Sequence, residues 1–167
     1  MTVNVAESVN PPSNPLDVVE EIVGANEWAF DRANDEELVV EITGRFCDYR
    51  LFFIWRQDLS ALHFTCVFDS RVAGSRRSEV HELLALVNEK LWVGHFDLCQ
   101  EDGVPMFRHT SLLRGARGAS VEQLEDLVDV ALNECERFYP AFQYVVWGGK
   151  RASDAMAAAL FETVGEA

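Results

Sequence analysis

Tyr49-Arg50-Leu51-Phe52-Phe53-Ile54-Trp55-Arg56 is apolar on both faces of a period-two pattern, with Leu51, Phe53 and Trp55 on one side and Phe52 and Ile54 on the other. Period two marks a strand, and apolarity on both sides places this strand inside a sheet. Its neighbours alternate more plainly. Leu38, Val40 and Ile42 interleave with Val39, Glu41 and Thr43; over Ala61 to Asp69, Leu62, Phe64, Cys66 and Phe68 interleave with His63, Thr65 and Asp69. One face of each should pack while the other stays wetter. The connections around Gly44 and Asp58 are short and polar, so the reading is an antiparallel meander. Trp28 to Arg32 is a weaker strand candidate before it.

Outward from this sheet the period becomes helical. Asn14-Pro15 reads as a helix start, because Asn accepts from free N–H groups and Pro at the first position loses no hydrogen bond. Leu16, Val19, Ile22 and Val23 then share a face, and Gly24 suits the stop. Val80, Leu83, Leu84, Val87 and Leu91 give the plainest helix, over Arg76 to Trp92, with a stripe that must lie on the sheet. His95 to Glu101 and Val104 to Leu112 flank Asp102-Gly103, a dipeptide suited to a two-residue type I′ turn. That turn places Asp97 opposite Arg108 and predicts a structural ion pair. Ser120 and Gln123 form a capping box before a helix carrying Val121, Leu124, Leu127, Val128, Ala131, Leu132, Cys135 and Phe138. Pro140 should interrupt or kink it. Phe142 to Trp147 reads as a shorter piece, and Ser153 should cap a last helix holding Met156, Leu160 and Phe161. The fold class is therefore α+β: an antiparallel β-sheet of about five to six strands with helices packed on one face, in the order α-βββ(β)-α-ββ-α-α.

The chain has 167 residues, enough for one core burying roughly 70% of the unfolded surface. Residues 1–13 read as a flexible tail, and 14–167 as one α+β domain including C-terminal helices over about 119–164. With 28 acidic and 14 basic side chains, the formal charge of −14 argues against nucleic acid or an anionic membrane as partner. The charge is uneven: −9 over residues 1–44, +1 over 45–117 and −6 over 118–167. A charge-steered partner should then meet the acidic ends.

Cys47, Cys66, Cys99 and Cys135 form no CxxC, so neither a zinc knuckle nor a dithiol redox motif is offered. Met1 to Asn10 has no leader character and no apolar run reaches membrane-span length. A cytoplasmic protein with reduced, mostly buried thiols is expected. His95, Asp97 and Cys99 share a strand face, but alternate residues about 7 Å apart are too widely spaced for one small ion. Gly148-Gly149-Lys150 lacks the rest of a phosphate loop and reads as a helix terminator. Arg76 and Arg77 open a helix and form a candidate anion site. Phe52, Phe53, Trp55, Phe64, Phe68, Trp92, Phe96 and Phe107 are more aromatics than one covered face readily absorbs; most should be core, and any left exposed would form a partner or dimer interface, for which Trp55, Phe64, Trp92, Phe96 and Phe107 are the candidates.

Leu91-Trp92-Val93-Gly94-His95-Phe96-Asp97-Leu98, continued by Asp102-Gly103-Val104-Pro105-Met106-Phe107-Arg108, resembles the bacterial YbjN family. Tyr139-Pro140-Ala141-Phe142-Gln143 and Val146-Trp147-Gly148-Gly149-Lys150 extend the resemblance, which covers about residues 15 to 150 in element order. It implies a fold similar to type III secretion chaperones, small acidic proteins, often dimeric, that bind segments of other proteins. It also implies a sensory transduction regulator connected with stress and motility, and it carries over no catalytic residue.

The expectation is a non-enzymatic cytoplasmic regulatory or chaperone-like module without cofactor or metal, binding a protein partner or a second copy. The alternative is a small-ligand-binding domain with a pocket between the sheet and the C-terminal helices.

Overall fold

The computed structural model describes residues 10–165. Helix α1 (Pro15–Ala25) starts as expected, with the Asn14 side chain accepting from the Leu16 N–H at 3.0 Å. Four strands follow: β1 (Ala29–Arg32), β2 (Glu37–Thr43), β3 (Asp48–Arg56) and β4 (Ala61–Val67). Helix α2 (Arg77–Asn88), strands β5 (His95–Leu98) and β6 (Pro105–Leu112), and helices α3 (Val121–Val146) and α4 (Ala152–Gly165) complete the order. The six strands pair antiparallel as β1-β2-β3-β4-β6-β5, so β3 is interior, as its two apolar faces require.

Phe30, Val40, Leu51, Cys66, Phe107 and Phe96 stand in one row across the sheet on the helix-covered side. Burial follows the alternation: Leu38, Val40, Leu51, Phe53, Phe64 and Phe107 are all buried. Rings of α3 complete this core, since Phe68 packs on Tyr139 and Phe142, and Phe96 on Phe138 and Phe142. Truncating such a ring to Ala costs about 3–5 kcal/mol.

Several expectations are corrected. Residues 1–9 of the proposed tail lie outside the described residues, but Pro12 is buried and the Ser13 N–H and hydroxyl both reach the Arg117 carbonyl, at 2.9 and 3.1 Å. Helix α2 ends at Asn88 rather than Trp92, because the Asn88 amide turns to pair with β5 and Gly94 then reverses the chain at φ +68°. Helix α3 runs through Pro140 as far as Val146. Burial of Phe138, Tyr139, Ala141, Phe142 and Val145 around that position outweighs one lost hydrogen bond. Ser153 lies inside α4; the cap comes from α2, where the Glu79 carboxylate accepts the Ala152 N–H at 3.1 Å.

The hairpin register is also shifted. Four residues, Gln100 to Gly103, make the turn: the Cys99 N–H donates to Val104 and the Gly103 N–H to Cys99. Asp97 therefore faces Met106, and Arg108 faces His95. A shift of two residues keeps every side chain on its face, so the Asp97–Arg108 pair forms on the diagonal at 2.8 Å.

Candidate protein-binding face

The four helices gather on one side and leave the other face of the sheet uncovered. Strand parity puts Asp31, Val39, Phe52, Thr65, Arg108 and His95 in one row across that face. Ala29, Glu41, Arg50, Val67, Met106 and Asp97 form the next row. Val39, Phe52, Ile54, Val67 and Met106 make a half-buried apolar strip through its middle. Carboxylates of β1 and β2 lie to one side, and His63, His95 and Arg108 to the other.

Its polar side is internally bonded. The His63 ring lies between the hydroxyls of Thr110 (2.8 Å) and Thr65 (3.3 Å). Burial, then Arg108 and His95, lowers the His63 pKa. Burial works against the Asp97 charge, but hydrogen bonds from Arg108 and the Leu98 N–H outweigh it and hold the carboxyl below its ordinary value.

One end of the face deepens into a groove of about 780 Å³. Phe52, Val67 and Met106 line it, with Glu41, Asp48, Arg50, Asp69, Arg71 and Asp102 as its charged groups. The β3–β4 register, if continued, sets Asp48 opposite Asp69. Cys99 also lines this groove. By contrast, the cavity between the sheet and helices α1 and α3 holds about 10 Å³, room for a water at most. Where α1 and α3 cover the sheet the core thus leaves no room for the expected ligand, and the 780 Å³ groove lies on the opposite side of the sheet.

Most of the aromatics read as an interface are core. Trp55, Phe64, Phe96 and Phe107 are buried, because α3 brings its own rings to the sheet and the two sets interdigitate. Trp92 alone of that group is fully exposed, on the turn between α2 and β5. The anion site at Arg76 and Arg77 is corrected too. Arg76 donates to the carbonyls of Val145 (2.9 Å) and Lys150 (2.8 Å), and Arg77 to that of Gln100 (2.7 Å). Carbonyls at the end of α3, before α4 and in the hairpin turn thus take three of the guanidinium donors, while the buried Arg77 Nε has no partner. Among the described residues, no three of His, Cys, Asp and Glu are placed to hold a metal ion. Nor is any helix there long and apolar enough to cross a membrane.

Sequence reasoning missed the uncovered strip. The signal was present in the parity that sets Phe52 and Ile54 opposite Phe53 and Trp55, but only the helix layer shows which face is covered.

Residues 15–144 match the family model YbjN, described as "Putative bacterial sensory transduction regulator". The chain belongs to the YbjN family. The crystal structure of YbjN from E. coli, described as a putative transcription regulator, is similar in fold. Its TM-score is 0.52 at 12% identity, over 76% of this chain and 88% of that one. No curated protein matches the sequence. The motifs that mark YbjN here are mainly packing devices. A Cβ on Gly94 would strike the Phe107 ring, and one on Gly103 would meet the Val72 carbonyl at 2.7 Å. Tyr139, Ala141 and Phe142 are core. On the uncovered face the YbjN motifs supply His95, Asp97, Met106 and Arg108, with Asp102 at the groove, and the rest of the apolar strip comes from β2, β3 and β4.

Proposed function

We propose that this YbjN-family chain is a non-enzymatic regulatory module that works by binding another protein on the uncovered face of its sheet. The observation that carries the reading is the half-exposed strip of Val39, Phe52, Ile54, Val67 and Met106 on a face without a helix layer. A desolvated apolar centre with a polar rim is the anatomy of a protein interface. The family's description as a sensory transduction regulator supports a regulatory role.

The test compares capture of partners from the native bacterium by the wild type, by Phe52→Glu on the strip, and by Glu125→Lys on the helix layer. The reading expects partners lost with Phe52→Glu and retained with Glu125→Lys, both variants keeping a cooperative thermal transition. Equal capture by all three would overturn it.

A further inference from the structure

We propose that the groove at the Asp48–Asp69 end of the uncovered face binds an extended segment of a partner protein in which apolar residues alternate with Lys or Arg. This rests on the reading of that face as a protein-binding surface and names the chemistry of what binds there.

Glu41, Arg50, Val67 and Met106 are successive positions on β2, β3, β4 and β6. Strands ~4.8 Å apart make this row roughly 14 Å long, about four residues of extended chain. Alternate side chains of such a segment point to opposite sides, so one set meets Phe52, Val67 and Met106 while the other reaches the rim.

Charge then selects the second set. Four carboxylates (Glu41, Asp48, Asp69, Asp102) line the groove against two guanidinium groups (Arg50, Arg71), and Arg50 lies 3.4 Å from Glu41. Among other bases of the same chain segment, Arg56 pairs with Asp58 and Arg108 with Asp97, and Arg76 and Arg77 donate to backbone carbonyls, Arg77 to that of Gln100 in the turn that carries Asp102. The fold thus collects acid from a stretch that is nearly neutral along the sequence. A cationic segment is attracted to this groove, and by the whole molecule at −14, whereas an acidic segment is repelled.

The test selects a random-peptide display library on the full-length chain and synthesises the enriched sequences. Binding is then measured to the wild type, to Met106→Glu and to the pair Asp69→Asn/Asp102→Asn, each checked for an unchanged thermal transition. The expected result is enrichment of alternating apolar and basic residues, with binding abolished by Met106→Glu. The double Asn variant should bind about five- to tenfold more weakly and with a shallower salt dependence. Bound peptide should slow alkylation of Cys99. Peptides without excess Lys or Arg that still require Met106 would overturn this inference and leave the protein-binding face standing. Peptides indifferent to Met106→Glu would overturn both. A wild type that self-associates, and that Met106→Glu makes monomeric, would assign the face to a second copy and overturn the peptide assignment.

Discussion

The side-chain amide of Asn88 pairs with both backbone groups of Phe96, donating to its carbonyl at 3.0 Å and accepting its N–H at 2.7 Å. β5 is an edge strand, and an outward-facing N–H and C=O invite another chain. Asn88, the last residue of α2, occupies that position and pins the helix to the sheet. Asn88→Ala should cost about 2 kcal/mol in urea unfolding, since it leaves two part-buried backbone groups unpaired. Asn88→Asp should recover little, because it keeps the acceptor but loses the donor. Light scattering should also show more association in Asn88→Ala, whose β5 edge is open.

Arg76 should behave as a structural tie between α2 and the end of α3. Arg76→Lys cannot reach two carbonyls with one planar fork and should lower stability by about 1–3 kcal/mol. Adding phosphate should not raise the wild-type melting temperature specifically, in contrast to what a bound anion at Arg76 and Arg77 would do.

Asp97 and the two half-buried histidines should leave opposite marks on the pH profile. The Asp97 folded pKa is depressed, so its contribution is present above the unfolded value of ~3.9 and is lost as pH falls through the folded one. Both partners are partly exposed, so Asp97→Asn should cost under about 1 kcal/mol at neutral pH, a difference that vanishes in acid. Burial lowers the pKa values of His63 and His109, with Arg108 and His95 adding for His63 and His95 for His109. The unfolded chain then takes protons first, so stability falls as pH drops below ~6.5 toward the folded values. Replacing both histidines with Asn should flatten that limb in chemical denaturation across pH.

The thiols should react in the order of their exposure. Cys99, half-buried in the groove, should be alkylated by iodoacetamide in the native protein at mildly alkaline pH. Burial pushes the Cys47 thiol up to about 11, and raises that of Cys135, where Cys66 lies 3.8 Å away. A thiol without its thiolate is a poor nucleophile, so Cys47 and Cys135 should label only on unfolding, and Cys66 should join them because it is fully buried. Mass spectrometry of labelled peptides with and without urea reads the difference; early labelling of Cys135 would contradict it.

Gly44 approaches α3 too closely for a side chain. A Cβ there would overlap the Tyr49 ring and the Glu136 carboxylate, which also accepts the Arg45 N–H at 3.0 Å. Gly44→Ala should therefore destabilise by about 1–3 kcal/mol in thermal or urea melts, although no positive φ is involved.

The sequence by itself determined the elements, because each rests on local information: a period of two through Leu38–Thr43 and Tyr49–Arg56, a period near four through Val80–Val87, and caps at Asn14 and Ser120. It also determined that Asp97 and Arg108 share a face, since parity survives a register shift of two. The register itself depended on whether the chain would turn in two residues or four, and that was decided by the contact of Gly103 with the Val72 segment, 31 residues away. Pro140 could not be placed from its helix alone, because the burial that overrides it comes from the sheet. The fate of the aromatics and of the charge was likewise tertiary. Phe96 and Phe107 became core only when α3 supplied partners, and Phe52 stayed half-exposed only because every helix went to the other side. Along the chain the acid belongs to the two ends. In space, Asp48, Asp69 and Asp102 of the near-neutral middle converge with Glu41 on one groove that holds two arginines, Arg50 and Arg71. Periodicity is a property of adjacent residues, but a surface is made by residues far apart in the chain, and only packing selects them.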